Sequence, residues 1–171
     1  MASVAHLVTI VSQVLRMRRE DVNTYARALI DGGILPKSRG RAIAQVTPRD
    51  AVALMVAAAV APKIKDTAET ARALLELKAA DGTVAGDLLE ALFLGAGTFP
   101  DAGRFVHVDL VHDWPEVIVR ANGRTLWHFH RNRTGNWEGH LKRASSLGAS
   151  AFELVRNLIA DRPEGVELEV R

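Results

Sequence analysis

Five polar side chains near residue 20 have the chemistry of contacts to nucleic-acid bases and phosphates. Arginine suits guanine and phosphate, asparagine suits adenine, and threonine can bond to several base edges. Such side chains can reach the base edges when they lie near the start of a helix that enters the major groove. The candidates are Arg18, Arg19, Asn23, Thr24 and Arg27. The alternative is that these side chains only solvate a surface helix.

A second group of cations lies about ten residues further along the chain. Lys37, Arg39 and Arg41 belong to a short, basic, glycine-containing loop. Such a loop can place cations over the DNA backbone or the minor groove. Residues 16–49 carry eight Lys or Arg against three acids, whereas the net charge of the whole chain is only +2. The local charge, rather than the total, therefore favours nucleic acid.

A third candidate site consists of histidines in the second half of the chain. His128 and His130 are two residues apart, as are His107 and Asp109, so each pair shares one face if it lies on a strand. Together they could bind a divalent metal. The alternative is that they decorate the solvated face of a sheet. We expect no catalytic residue, metal or cofactor, because no ligand spacing, Walker loop or nucleophile motif accompanies them.

A loose aromatic and basic cluster follows these histidines. Trp137 and His140 lie among Arg131, Arg133 and Lys142. Such a cluster could stack on single-stranded nucleic acid. Solvation of a surface loop is the alternative interpretation.

The composition limits the class of protein. Of 171 residues, 48% are hydrophobic, which is enough to fill a core. The chain has no cysteine, which excludes disulfides, thiolate catalysis and cysteine-ligated metals. An apolar run over residues 4–15 has no basic residue before it, and another over residues 51–61 is too short to span a bilayer. We therefore expect a soluble, cytoplasmic protein without membrane contact.

Three helices are predicted to position the first two groups. Apolar residues at three- and four-residue spacing predict helices over residues 3–16 and 19–31. The pair Gly32-Gly33 is expected to end the second helix, since glycine can adopt the left-handed conformation. Thr47 is the expected N-cap of a third helix over residues 48–60, which is apolar nearly all round and should be buried.

Between the second and third helices, a basic loop over residues 36–41 is followed by a short apolar segment. This segment, residues 42–46, is predicted to be a small strand that returns from the loop. Two helices, a loop with a return strand and a third helix form the order of a winged helix-turn-helix.

The stretch over residues 8–56 resembles the winged helix of MerR-type regulators. In that family a helix ends in a Gly-Leu-Leu-Pro-like exit before a wing and an acid-bearing helix start. Here the exit is Gly32-Gly33-Ile34-Leu35-Pro36, and the helix start is Thr47-Pro48-Arg49-Asp50. The stretch lacks the aromatic-Arg pair of the family's wing and the small residue usual in its turn. The resemblance implies a DNA-binding head, of a kind that also opens phage small terminase subunits and prophage-encoded regulators.

Two further helices are predicted to follow the head. Asp66 or Thr67 should cap the fourth, which ends near Asp81-Gly82, and Thr83 should cap the fifth, which stops at Gly95. This helical hairpin either completes the core of the head or serves self-association.

After residues 95–103 the hydrophobic period changes to two. An antiparallel meander of three strands is predicted, over residues 105–111, 117–120 and 124–131. Asn122-Gly123 is the hairpin turn between the last two strands. The capping box Ser150-Ala151-Phe152-Glu153 predicts a final helix packed on the meander, and residues 166–170 are an edge strand or a tail.

The sequence therefore predicts an α+β protein: an N-terminal all-α winged helix-turn-helix with a helical hairpin, followed by a small antiparallel β-meander packed on a C-terminal helix. The predicted domains are the DNA-binding head (1–62), the hairpin (63–97) and a module for self-association or partner binding (98–171). We expect a non-enzymatic protein that binds double-stranded DNA sequence-specifically, of the phage or prophage transcriptional regulator type. It would act as a dimer or higher homo-oligomer. The alternatives are a phage small terminase subunit and a metal-dependent enzyme that uses the histidines.

Overall fold

Five helices precede a four-stranded antiparallel sheet, and a sixth helix follows it, in the computed structural model, which describes residues 2–38, 43–95, 106–111, 115–130 and 144–160. The helices are α1 (Val4–Val14), α2 (Arg19–Asp31), α3 (Pro48–Val60), α4 (Thr67–Leu75), α5 (Ala85–Leu94) and α6 (Ala149–Ala160). A 3-10 turn, Ile64–Asp66, leads directly into α4. The strands are β1 (Val106–Val111), β2 (Glu116–Ala121), β3 (Arg124–His130) and β4 (Ala144–Gly148). The α+β class predicted from the sequence is confirmed.

Helix α3 lies at the centre of the core, as its composition predicts. The side chain of Thr47 accepts from the backbone of Asp50, and the Asp50 carboxylate accepts from the backbone of Thr47, which completes a capping box. Residues 51–58 and Val60 are all buried. The helix ends at Ala61, which has the left-handed conformation (φ 47°) that usually selects glycine.

Helix α2 is followed by two glycines with different structural roles: Gly33 adopts the terminating left-handed conformation, and Gly32 permits close helix packing. Gly33 has the left-handed conformation (φ 72°), whereas Gly32 remains right-handed (φ −78°). The Ile34 N–H donates to the Leu29 carbonyl and the Gly33 N–H donates to the Ile30 carbonyl, which is a Schellman motif. A Cβ added at Gly32 would lie 2.3 Å from the Cβ of Ala68, so this glycine lets α4 approach α2 closely.

The segment between α4 and α5 differs from the predicted helical hairpin. Helix α4 stops at Leu75, several residues before Asp81-Gly82. A small β-turn replaces its last part, since Lys78 forms a bridge with Val84. Thr83 does not cap α5: its N–H donates to Asp81 (2.9 Å) within that turn, and the N-cap residue is Val84. The predicted Thr83 cap is wrong because Thr83 belongs to the turn closed by the Lys78–Val84 bridge. The end of α5 at Gly95 (φ 69°) is confirmed.

The sheet has the strand order β3-β2-β1-β4, with every neighbouring pair antiparallel. The predicted meander is present as β1, β2 and β3. Asn122 and Gly123 both have positive φ (50° and 75°), as expected of the tight hairpin turn. The fourth strand, β4, was not predicted, because its sequence Ala-Ser-Ser-Leu-Gly contains one large apolar residue and no alternation.

Helix α6 begins two residues earlier than the predicted capping box places it. It starts at Ala149, directly after β4, so Ser150 lies inside the first turn and is not the N-cap. Helix α6 packs on α1 and α5 as well as on β1 and β4, and the inner face of the sheet also packs on α3. One continuous apolar cluster therefore joins the helices of the first half to the sheet. The division into three domains stays a prediction.

The loop between α2 and α3 is described only in part, and Arg39 and Arg41 lie outside the described residues. The predicted return strand over residues 42–46 is not present as an extended strand in residues 43–46. Gln45 forms one isolated bridge with Ser3, and the Val46 N–H donates to the Ala2 carbonyl (2.9 Å). The segment thus pairs with the N-terminus, and the winged form of the head stays a prediction. None of the described helices is long and apolar enough to cross a bilayer. The Trp137 cluster and residues 166–170 lie outside the described residues.

Candidate nucleic-acid interface

The connection between α1 and α2 is short and contains a left-handed residue. Residues 15–18 separate the two helices. Within the turn, Arg16 is left-handed (φ 54°), and the Met17 N–H donates to the Ser12 carbonyl (2.9 Å). A left-handed residue reverses the chain in few steps, and glycine is the usual choice there. Arg16 therefore adopts the conformation for which a small residue would be expected.

Helix α2 has one buried face and one solvent face. Val22, Ala26 and Leu29 are fully buried against the rest of the core. The exposed side chains follow the opposite face, namely Arg19, Glu20, Thr24, Arg27 and Asp31, with Asn23 half-buried among them. With 3.6 residues per turn, Arg27 lies near the middle of that face. The predicted candidates on α2 are thus brought together on one surface.

Arg18 is the exception among these candidates, because its charge is already paired. Its Nε and Nη2 atoms each donate to a different carboxylate oxygen of Asp21, both at 2.9 Å. This hydrogen bond, with the Coulombic attraction of Asp21, raises the pKa of the Arg18 guanidinium above its ordinary value. The pair uses two of the five N–H donors of Arg18, and the Asp21 carboxylate offsets its positive charge.

Arg19 and Asn23 line a groove between α1 and α2. The groove also contains Ala5 and Val8 of α1, together with Glu20. Asn23 is half-buried at this groove. A side-chain amide can form the paired donor and acceptor contact that distinguishes adenine. Asn23 is placed to make such a contact if a base edge enters this groove.

Thr24 and Arg27 line a second groove on the other side of the exposed face, of about 400 Å³. Its far wall is formed by Ile64, Lys65 and Ala68, from the 3-10 turn and α4. The hydroxyl of Thr24 donates to the Glu20 carbonyl (2.8 Å), so its proton is already used and its oxygen can act only as an acceptor. Arg27, in contrast, projects from the exposed face with its donors available.

The arginines of the described residues fall into two groups. Several serve the fold: Arg49 pairs with Asp87 (2.9 Å), Arg72 donates to the Gly32 carbonyl (3.0 Å) and Arg120 pairs with Asp109 (3.1 Å). Arg19 and Arg27 make no ion pair or hydrogen bond with any described residue. Lys37, which follows the exit of α2, is exposed as well. These cations are free to meet a polyanion.

Tyr25 provides a spectroscopic probe of this helix. It lies on the half-buried edge of α2, between the core and the solvent face. Burial raises the pKa of the Tyr25 phenol above its ordinary value of 10.0, and the negative charge of Asp21 raises it further. It is the chain's single tyrosine, so its ionisation can be followed without interference from another tyrosine.

The histidines and Asp109 of the sheet do share its outer face, but they do not converge. Strand β2 separates His107 and Asp109 of β1 from His128 and His130 of β3. Asp109 pairs with Arg120 of that intervening strand, and His128 contacts the buried carboxylate of Glu116. Within residues 2–38, 43–95, 106–111, 115–130 and 144–160, no group of three or more metal-ligating side chains is arranged to hold a metal.

Comparison with known proteins adds no assignment: no family model, curated protein or solved structure matches this chain. The description of the surface around α2 therefore depends on its own geometry and charge.

One cation of the α2 surface was missed by the sequence interpretation. Lys65 falls within the predicted helical hairpin, residues 63–97, and was not among the predicted DNA contacts. The structure places it across a groove from Arg27, about 40 residues away in sequence. Only the close packing of α4 on α2 brings the two together, and no local pattern signals that packing.

Proposed function

We propose that this chain binds double-stranded DNA through the solvent face of α2. The observation that carries the proposal is that α2 combines two features, a tight turn before it and unpaired cations on its exposed face. A four-residue turn with a left-handed residue joins α1 to α2, which is compatible with α2 as the second helix of a helix-turn-helix. The exposed face of the same helix carries Arg19 and Arg27 without protein partners, and Asn23 beside them.

The candidate residues divide by role. Asn23 and Arg27 would reach base edges, because side chains near the start of a recognition helix enter the major groove. Lys37 and the loop cations Arg39 and Arg41 would lie over phosphates, which fix orientation without reading sequence. Arg18 and Arg19 lie at the start of α2, where Asp21 offsets the charge of Arg18 and so weakens its attraction to a phosphate.

Binding would require more than one head. A single helix-turn-helix makes only a few phosphate contacts, so useful affinity comes from two or more linked heads. We propose a regulator of the phage or prophage type that acts as a homo-oligomer. A small terminase subunit would use the same head in a ring. The mass in solution separates the two: a dimer contradicts the ring, and eight or more subunits contradict the simple regulator.

Electrophoretic mobility measurements with the full chain and mixed-sequence duplexes at low salt test the proposal. Non-specific binding through several phosphates is typically micromolar to submillimolar at physiological salt and tightens as salt falls. We expect retarded species at micromolar protein. The double variant Arg19→Ala/Arg27→Ala should bind much more weakly while its far-ultraviolet circular dichroism is unchanged. Absence of any retarded species for the wild-type chain at low salt would refute DNA binding.

A further inference from the structure

The exposed face of α2 carries too little net positive charge to bind DNA strongly by itself. Its two free cations, Arg19 and Arg27, share the face with two acids, Glu20 and Asp31. The face alone is therefore close to neutral. Since phosphate contacts supply most of the affinity of such proteins, cations must come from a neighbouring element.

The 3-10 turn before α4 supplies such a cation. Lys65 lies on the wall of the groove opposite Thr24 and Arg27, and it is exposed. It makes no ion pair or hydrogen bond with any described residue. Asp31 lines the same groove, but it is not within salt-bridge distance of Lys65.

The 3-10 turn packs on α2 and leads directly into α4, which places the backbone of Lys65 beside α2. Arg72 of α4 donates to the Gly32 carbonyl at the end of α2 (3.0 Å). Gly32 allows a close approach of the two helices at Ala68, where an added Cβ would overlap. The Asp66 N–H donates to the Lys63 carbonyl (2.8 Å), which closes the turn itself.

We infer that Lys65 is a phosphate-binding residue of the same DNA interface. It would contact the DNA strand that lies along the protein groove beside Thr24 and Arg27. This inference rests on the proposed function, because it assumes that α2 enters the duplex. A cation on an adjacent element, fixed at one flank of the recognition helix, would set the position of the backbone and so the depth at which Arg27 enters. The ligand is a backbone phosphate of duplex DNA.

Lys63, the residue immediately before the turn, offers a matched control. It is also an exposed lysine, two residues away, yet it does not line the groove. A contact in the groove therefore requires Lys65 but not Lys63, whereas diffuse attraction would use both.

The experiment is duplex affinity against salt for four proteins, the wild-type chain, Lys65→Ala, Lys65→Arg and Lys63→Ala, measured by fluorescence anisotropy, with Arg27→Ala as the reference for binding through α2. Loss of one phosphate contact should lower the log–log salt slope by about 0.9 and weaken binding roughly five- to tenfold at low salt. We expect this for Lys65→Ala only, with the slope kept in Lys65→Arg. All four proteins should have the same unfolding midpoint, because both lysines are exposed.

Three other outcomes overturn the inference in distinguishable ways. If Lys65→Ala binds like wild type while Arg27→Ala binds weakly, α2 still binds DNA but Lys65 is not part of the interface. Equal losses for Lys65→Ala and Lys63→Ala would indicate long-range attraction rather than a contact in the groove. If the wild-type chain binds no duplex, the proposed function and this inference fail together.

Discussion

The hydroxyl of Ser145 on β4 donates a 2.7 Å hydrogen bond to the carbonyl of Ala59 on α3. The last four carbonyls of a helix have no partner within the helix, and Ala59 is among them. A strand from the second half of the chain thus satisfies the end of the most buried helix of the first half. This bond couples the sheet to the helix that supports the proposed DNA-binding head.

Replacement of Ser145 by Ala should lower the free energy of unfolding by about 1 kcal/mol, since one partly buried hydrogen bond is lost and a helix carbonyl is left unpaired. Ser146→Ala, on the exposed neighbour in β4, should change stability by less than about 0.5 kcal/mol. Urea unfolding followed by circular dichroism measures both. Equal effects of the two changes would show that the Ser145 bond does not stabilise the fold.

Gly32→Ala should destabilise the protein by roughly 1–3 kcal/mol, because the new methyl group would overlap Ala68 and push α4 away from α2. A double-mutant cycle identifies the cause. Ala68→Gly alone should cost about 1 kcal/mol through helix propensity. In combination it should recover part of the Gly32→Ala loss, because it removes the atom that clashes. Strictly additive losses would contradict the close approach.

Tyr25 should ionise above its ordinary pKa of 10.0 in the folded protein, because burial and Asp21 both disfavour the phenolate. Since the folded pKa is raised, the stabilisation from neutral Tyr25 is fully present below the unfolded pKa and is lost as pH rises through the folded pKa. Phenolate absorbance gives the midpoint directly. Asp21→Asn should move it downward, and a midpoint unaffected by that change would remove Asp21 as a cause.

Asp21→Asn should also tighten duplex binding severalfold. It releases the Arg18 guanidinium from its bidentate pair and removes an acid near the start of α2. The gain in affinity should be smaller in an Arg18→Ala background. There Asp21→Asn only removes a negative charge, since no Arg18 guanidinium is left to release. Stability should fall by about 0.3–1 kcal/mol, since an acid in the first turn of a helix is favourable. Anisotropy titrations of the four proteins measure the coupling, and an equal gain in both backgrounds would exclude a role for Arg18.

Those elements that carry strong local signals were predicted well. The limits of α2 and α3 follow from Gly-Gly and from the Thr47 capping box, and the hairpin follows from Asn122-Gly123. The misses have tertiary causes. Strand β4 exists because it pairs with β1 and not because of its own pattern, and its direct continuation into α6 displaced the predicted cap at Ser150.

In the candidate site, too, features set by local sequence were predicted and features set by side-chain or tertiary contacts were not. Helical periodicity was sufficient to place Arg19, Asn23 and Arg27 on one exposed face. It could not show that Arg18 is paired with Asp21, or that the Thr24 hydroxyl donates to its own helix. Lys65 joins the surface through packing between α2 and α4, which depends on residues distant in sequence.

The most direct test of DNA binding through α2 compares two exposed arginines without protein partners among the described residues, Arg27 on α2 and Arg124 on β3. Each variant, Arg27→Ala or Arg124→Ala, removes the same charge from the full chain. The measurement is duplex affinity between about 50 and 200 mM salt, by fluorescence anisotropy. We predict that Arg27→Ala weakens binding at least severalfold at every salt concentration, whereas Arg124→Ala leaves affinity and salt slope close to those of the wild type. Wild-type affinity for Arg27→Ala together with a large loss for Arg124→Ala would contradict the assignment of α2 as the DNA-binding element.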